Sequence, residues 1–121
     1  MHGVILFAHG SRDPLWRAPI EAVAEDVRRR QPDAAVRCAY LELCDPSLAQ
    51  AAQALVAQGV TELRILPMFL GMGKHAREDL PLLAADLQQA YPGVRVRTLP
   101  AVGENPRLTA LLADLALEEP T

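Results

Sequence analysis

The sequence predicts an α/β fold in which a four-stranded parallel sheet lies between two layers of helices. Short apolar runs alternate four times with segments whose apolar residues recur at helical spacing. The first run, Val4 to Ala8, is continuously apolar, which is typical of a strand buried on both faces. No linker or low-complexity segment interrupts the alternation. We therefore expect a single three-layer domain that spans residues 1–121.

The first helix follows that strand after His9-Gly10-Ser11. Its apolar residues are spaced by three and four positions: Trp16, Ile20, Val23 and Val27. Proline is tolerated in the first turn of a helix, so Pro19 predicts a start near Trp16 or Arg17. Three consecutive arginines predict its C-terminal end, where basic side chains interact favourably with the helix dipole.

The second unit consists of a strand over Val36–Leu41 and a helix. Asp45 is expected to cap this helix, with Pro46 at the first helical position. The helix then buries a stripe formed by Leu48, Ala52 and Leu55. Gly59 is expected at its C-terminal end.

The third strand is predicted over Leu63–Leu70, and a helix with Leu80, Leu83, Leu87 and Ala90 follows it. Because Pro81 belongs in a first turn, we expect this helix to begin at about Asp79. Residues Gly71–Ala76 are then a loop.

A fourth strand over Val94–Leu99 and a last helix that begins at Asn105-Pro106 complete the pattern. Right-handed crossovers make all four strands parallel, and the expected strand order is 2-1-3-4. Ligands of such sheets bind beyond the carboxyl ends of the strands, where the strand order reverses. That point lies between the first and third strands, so the loops His9–Leu15 and Gly71–Arg77 are the ones to inspect.

Composition argues against several classes of protein. The net charge is −3 and aromatic residues make up 4% of the chain, which disfavours a partner such as nucleic acid or an anionic membrane. The longest apolar stretch, Ile65 to Gly73, is far shorter than the ~18 residues of a membrane span. Cys38 and Cys44 are too few for a disulfide framework or a zinc site. Since the N-terminus also lacks the pattern of a signal peptide, we expect a cytoplasmic protein with reduced thiols.

Two histidines are candidates for the chemistry. His9 and His75 each follow an apolar strand or its extension, on the two loops that the fold brings together. Glu42 ends the second strand at the same edge, 33 residues from each histidine, which is one βα unit per step. Two imidazoles and a carboxylate suit Co²⁺, Ni²⁺, Fe²⁺ or Zn²⁺. For Glu42, a role as a solvated acid or as the partner of an arginine is an equal alternative.

Other motifs do not fit a known active site. The stretch Gly71-Met72-Gly73-Lys74 resembles part of a phosphate loop, but a Walker A motif would need a glycine in place of Met68. His9-Gly10 is similar to the motif of histidine phosphatases, in which an arginine stands at the position of Ala8. A histidine phosphatase is therefore a weak alternative.

The candidate residues lie in a set of longer segments, namely His9-Gly10-Ser11-Arg12-Asp13-Pro14, Tyr40-Leu41-Glu42, Pro67-Met68-Phe69-Leu70-Gly71, Gly73-Lys74-His75 and Asp79-Leu80-Pro81. Together these segments resemble those of the CbiX-type sirohydrochlorin chelatases. The members are ATP-independent class II chelatases, which insert Co²⁺, and in relatives Fe²⁺ or Ni²⁺, into a tetrapyrrole. The resemblance implies that His9 and His75 form the metal-binding and catalytic site, and that Glu42 joins them as a glutamate does in related cobaltochelatases.

The resemblance also implies the substrates and partners. They are sirohydrochlorin and a divalent metal, most simply Co²⁺ for cobalamin biosynthesis, with no further cofactor. Because sirohydrochlorin carries many carboxylates, Arg12, Lys74 and Arg77 are candidate anchors, together with Ser11. For any single one of these cations, a solvated loop charge is the favoured alternative. Insertion of Fe²⁺ for siroheme, insertion of Ni²⁺ and a non-catalytic metal or tetrapyrrole carrier are the alternatives.

One domain of this kind supplies only one wall of a cleft. Long members of the family carry two such domains, and some carry Cys- or His-rich extensions. Here the sequence ends in Glu118-Glu119-Pro120-Thr121, so we expect neither an iron–sulfur cluster nor metal storage. We expect a homodimer, in which an identical chain supplies the second lobe.

Overall fold

The computed structural model describes residues 1–119 as a four-stranded parallel sheet with the order β2-β1-β3-β4, which confirms the predicted fold class and strand order. The strands are β1 His2–Ala8, β2 Ala35–Tyr40, β3 Glu62–Pro67 and β4 Arg95–Thr98. The helices are α1 Ala18–Arg30, α2 Leu48–Ala57, α3 Lys74–Ala90 and α4 Pro106–Leu117, and 3-10 turns lie at Pro14–Arg17 and Val102–Glu104. The predicted domain and the C-terminal segment Glu118-Glu119-Pro120-Thr121 include two residues, Pro120 and Thr121, that lie outside the described residues.

The sheet has a packed core on each face. One core lies under α2 and α3, and its members include Ile5, Phe7, Leu55, Leu63, Ile65, Leu80 and Leu87. The other lies under α1 and contains Leu6, Ala8, Ile20, Ala24, Val36 and Tyr40. Alternate residues of β1 therefore enter opposite cores, as the pleat of a strand requires. None of the helices described over residues 1–119 has both the length and the apolar character of a membrane span.

Replacing Leu55 with alanine is expected to lower the free energy of unfolding by about 2–5 kcal/mol. The Leu55 side chain is completely buried between α2 and the sheet, so its removal leaves a cavity. Urea denaturation followed by circular dichroism measures the change. Leu82→Ala is the matched control, because Leu82 is 65% exposed and should cost less than ~0.5 kcal/mol. Equal losses in the two variants would contradict this packing.

The predicted start of α2 is wrong by two residues. Ser47, rather than Asp45, caps the helix, because its hydroxyl accepts a hydrogen bond from the Gln50 N–H at 3.2 Å. The Gln50 side chain accepts in turn from the Ser47 N–H at 2.8 Å, which completes a capping box. Pro46 cannot open the helix, since its carbonyl oxygen accepts from the Tyr40 N–H at the end of β2.

The predicted start of α3 is wrong by about five residues. The helix begins at Lys74 and runs through Pro81. Ala76 is buried on the same face as Leu80 and Leu87, so burial of the first turn favours the earlier start. Pro81 removes only its own backbone donor, on the exposed side of the helix. His75 consequently lies in the first turn of a helix and not in a loop.

The remaining boundaries differ by a few residues. A 3-10 turn precedes α1, which starts at Ala18 instead of near Trp16 or Arg17. The third strand ends at Pro67, three residues before the predicted Leu70. At α4 the prediction is confirmed, because the Asn105 side chain caps the helix and Pro106 is its first residue.

Candidate metal-binding site beyond the carboxyl ends of the strands

The candidate site forms where the chain continues beyond the carboxyl ends of β1 and β2. The Leu41 N–H donates to the Ala8 carbonyl oxygen at 2.9 Å, and the Glu42 N–H donates to the His9 carbonyl oxygen at 3.1 Å. These two hydrogen bonds hold the segment that follows β2 against the end of β1 and its next residue, His9. They set His9 and Glu42 side by side at the rim of the sheet.

The side chains of these two residues meet. Nε2 of His9 lies 3.1 Å from Oε1 of Glu42, and both side chains are about half exposed, at 53% and 56%. Nδ1 of His9 lies 3.2 Å from the Gly10 carbonyl oxygen. When Nδ1 carries the proton and donates to that carbonyl, the lone pair of Nε2 is available to a metal ion.

The distance between the two donor atoms suits one ion. Metal–nitrogen and metal–oxygen bonds of about 2.1 Å, as for Zn²⁺, would place an ion between Nε2 of His9 and Oε1 of Glu42 at an angle of about 95°. That angle is close to the one between neighbouring ligands of a six-coordinate ion. The pair can therefore hold a divalent ion from one side and leave its other positions open.

Gly10 makes this arrangement possible. Its φ angle is +104°, and a Cβ atom there would lie 1.8 Å from the carbonyl oxygen of Glu42. Any other residue would push the two chain segments apart. From the sequence alone, Gly10 stands out only as part of a motif. A glycine directly after a strand-end histidine is the signal that could have indicated a close backbone approach.

His75 lies in the first turn of α3, the helix that follows β3, and it is exposed. The next residue, Ala76, is buried. Arg77 lines a cavity of about 290 Å³ next to Thr98 and Leu99 at the end of β4.

The structure brings only two of the three predicted ligands together. Over residues 1–119, no group of three or more His, Cys, Asp or Glu side chains is arranged to hold a metal ion. His9 and Glu42 are in contact, whereas His75 stands at the same rim without joining that pair in a three-ligand group. The three residues together remain a prediction.

The residues predicted to bind the substrate carboxylates differ in exposure and in their position around this rim. Arg12 and Lys74 are exposed, in the loop after β1 and at the first residue of α3. Ser11 is partly buried, and its hydroxyl accepts a hydrogen bond from the Asp13 N–H at 3.0 Å. Arg77 lies on the β4 side of α3.

Both cysteines are free, as predicted, and pack at the edge of the core under α1. Burial raises the pKa of the Cys38 thiol, so Cys38 is a protonated packing residue at neutral pH. Burial also raises the pKa of the neighbouring Tyr40 to about 12, so its hydroxyl stays neutral.

Comparison with known proteins gives a consistent result. The family model CbiX matches residues 3–119. Sirohydrochlorin cobaltochelatase of Methanosarcina barkeri is 27% identical over 119 residues, which cover 96% of this chain and 92% of that protein. The enzyme of the same name from Methanopyrus kandleri is 35% identical over 81 residues, 67% of this chain and 57% of its own length.

Two further proteins extend the comparison. The crystal structure of a CbiX protein from Marinobacter aquaeolei VT8 superposes with a TM-score of 0.81 and 36% identity, over 96% of this chain and 94% of that one. A chloroplastic sirohydrochlorin ferrochelatase of Arabidopsis thaliana is 30% identical over 92 residues, 76% of this chain and 41% of that protein. The named activities of these relatives thus share one tetrapyrrole and differ in the metal.

Proposed function

Because the chain belongs to the CbiX family, we propose that it catalyses ATP-independent insertion of a divalent metal ion into sirohydrochlorin, with Co²⁺ as the preferred ion. The observation that carries this proposal is the 3.1 Å contact between Nε2 of His9 and Oε1 of Glu42 at an exposed rim. It pairs a nitrogen and an oxygen donor, which suit Co²⁺, Fe²⁺ and Ni²⁺.

The reaction replaces two pyrrole protons of the macrocycle with one metal ion and releases both protons. His9 and Glu42 hold the incoming ion through two bonds, so the four macrocycle nitrogens can displace them one at a time. A carboxylate and a neutral imidazole are also bases. Once the metal has left, Glu42 and His9 can accept the pyrrole protons, and His75 offers another base at the same rim.

A two-ligand site favours transfer over storage. A protein that retains a metal ion completes the coordination shell with its own side chains, as structural zinc sites do. The open positions beside His9 and Glu42 are instead those that a macrocycle would fill. We therefore prefer the chelatase to the metal carrier.

The carboxylates at the periphery of sirohydrochlorin can pair with the cationic side chains near His9 and His75. Arg12 and Lys74 flank the two histidines in sequence and are exposed, so we assign them to the carboxylates of sirohydrochlorin, with Ser11 at the edge of the same loop. Arg77, which lines the cavity beside the end of β4, is assigned to a carboxylate on that side of α3. We further propose that residues 1–121 act as one domain in a reducing, cytoplasmic environment, and that the active form is a homodimer.

Anaerobic sirohydrochlorin mixed with equal concentrations of Co²⁺, Fe²⁺ or Ni²⁺, with and without the protein, tests the proposal. The absorbance change of the macrocycle reports insertion. We expect the protein to raise the initial rate above the spontaneous rate, most strongly with Co²⁺. If insertion of Fe²⁺ or Ni²⁺ is accelerated more than that of Co²⁺, that ion replaces Co²⁺ as the proposed substrate. If the protein accelerates insertion of none of the three ions, the proposed activity is wrong.

A further inference from the structure

Leu43 has a strained backbone directly beside the candidate metal site. Over residues 1–119 it is the one residue other than glycine with a positive φ angle, at +71°. The left-handed region is disfavoured for residues with a Cβ atom, and glycine or asparagine adopts it most readily. A leucine at this position therefore makes the fold less stable than an asparagine would.

The surrounding contacts hold Leu43 in this conformation. On one side, the carbonyl oxygen of Glu42 is 1.8 Å from the position that a Cβ atom on Gly10 would occupy, so the peptide between Glu42 and Leu43 packs tightly against Gly10. On the other side, the Pro46 carbonyl oxygen accepts a hydrogen bond from the Tyr40 N–H at 2.9 Å. The five residues between them must therefore reverse the direction of the chain, and Leu43 is at their centre.

The Leu43 side chain gains little burial to offset this strain. Leu41 packs against the core under α2 and α3, and Cys44 packs against the core under α1. Among the described residues, Leu43 joins neither core and is 48% exposed. Backbone strain of this kind is concentrated at functional sites, where it is part of how a ligand is held. An exposed leucine in a strained turn thus has the features of a ligand contact.

The position of Leu43 next to the donor atoms indicates a ligand with an apolar face. Adjacent Cα atoms are 3.8 Å apart, so Leu43 lies one residue from Glu42, whose Oε1 is 3.1 Å from Nε2 of His9. A metal ion enters a macrocycle through one of its faces, so the receiving face must come over this pair. That face is apolar, and an apolar side chain beside Glu42 can contact it while the ion is transferred.

Exposed leucines in the two neighbouring loops extend this apolar surface. Leu15, after β1, is 81% exposed, and Leu70, after β3, is 68% exposed. Because β2, β1 and β3 are neighbours about 4.8 Å apart, the three loops span about 10 Å, which is comparable to the width of a tetrapyrrole. The exposed cations Arg12 and Lys74 lie in the first of these two loops and directly after the second. Apolar contacts in the middle and positive charges at the edge match a macrocycle with carboxylates at its periphery.

We propose that Leu43 is a substrate-binding residue whose strained backbone holds its side chain against the face of the tetrapyrrole that receives the metal. This inference rests on the proposed function, because it takes sirohydrochlorin as the ligand. The strain lowers the stability of the free protein, whereas the side chain contributes affinity for the macrocycle. Replacing Leu43 should therefore change stability and affinity in opposite directions.

The variant Leu43→Asn tests the proposal. Asparagine adopts the left-handed conformation more readily than leucine, so the melting temperature should rise by about 2–4 °C. The dissociation constant of metal-free sirohydrochlorin, measured by fluorescence titration, should rise about 10-fold, because an apolar contact is lost. Binding of Co²⁺ alone should stay unchanged, since both donor side chains are intact. Leu43→Met keeps an apolar side chain and should restore the affinity for sirohydrochlorin.

The matched control is Leu82→Asn on α3. Leu82 is also exposed, at 65%, but it lies within a helix. Asparagine is a weaker helix former than leucine, so the melting temperature should fall, while the affinity for sirohydrochlorin should stay unchanged.

The outcomes separate this inference from the proposed function, because binding is measured without metal and without turnover. Wild-type affinity for sirohydrochlorin in Leu43→Asn would overturn this inference even where the wild type accelerates insertion. If that variant also changes the mass of the protein in solution, the leucine contacts a second copy instead. A lower melting temperature in Leu43→Asn would make Leu43 a packing residue. A wild type that binds no sirohydrochlorin would overturn both proposals.

Discussion

Replacing His9 with alanine is expected to slow cobalt insertion into sirohydrochlorin at least about 100-fold. The imidazole supplies one of the two donor atoms of the candidate site, and its loss leaves Glu42 alone to hold the ion. The side chain is 53% exposed, so its removal should change the free energy of unfolding by less than ~0.5 kcal/mol. Initial rates from the absorbance assay, with urea denaturation in parallel, separate the two effects.

The matched control is His2→Ala. His2 starts β1 at the opposite end of the sheet and pairs with Glu62 at 3.3 Å, so its loss should leave the rate unchanged. Near-normal insertion by the His9 variant, or an equal loss in both variants, would contradict the assignment of His9. His75→Ala should also slow insertion, although the structure leaves His75 outside the contacting pair.

Replacing Gly10 with alanine is expected to destabilise the protein strongly. The new Cβ atom would lie 1.8 Å from the Glu42 carbonyl oxygen and would force the segment around Glu42 away from His9. A φ of +104° adds backbone strain of about 1–2 kcal/mol for any residue with a side chain. We expect a total loss of about 3–5 kcal/mol in the free energy of unfolding, together with impaired insertion.

The variant Gly59→Ala separates the cost of backbone strain from the cost of the steric clash at the Cβ atom. Gly59 has a similar φ of +95°, but no atom lies within 4 Å of the position that its Cβ would occupy. The alanine variant should therefore lose only the ~1–2 kcal/mol of strain and retain full insertion. Thermal or urea denaturation measures both variants. If Gly10→Ala lowers the free energy of unfolding no more than Gly59→Ala does, the close approach of Gly10 to the segment around Glu42 is wrong.

Most of the fold follows from the sequence because the apolar pattern and the topology rules determine it. The run Val4–Ala8 and the helical spacing of leucines predict the sheet, and the crossover rule predicts the order β2-β1-β3-β4. The errors lie at the ends of elements, and the largest is at the start of α3. Pro81 predicts a late start for α3, but burial of Ala76 decides the boundary, and burial is a tertiary effect that local pattern does not contain.

The same topology rules predict part of the candidate site. Topology alone places His9 and Glu42 at one rim, because both follow neighbouring parallel strands. Their contact depends on Gly10, whose role is visible only when the neighbouring segment is present. The exposed leucines of α4 have a helical spacing that predicts a buried stripe, and the sequence does not reveal that residues 1–119 leave these leucines exposed.

X-ray absorption of Co²⁺ bound to the protein, before any tetrapyrrole is added, tests the central claim most directly. We expect a first shell of nitrogen and oxygen atoms that includes imidazole scattering, and loss of that imidazole signal in the His9→Ala variant. Glu42→Gln should weaken Co²⁺ binding as well, because the neutral amide is a poorer ligand than the carboxylate. A shell that contains sulfur from Cys38 or Cys44, or a His9→Ala spectrum identical to that of the wild type, would contradict the account.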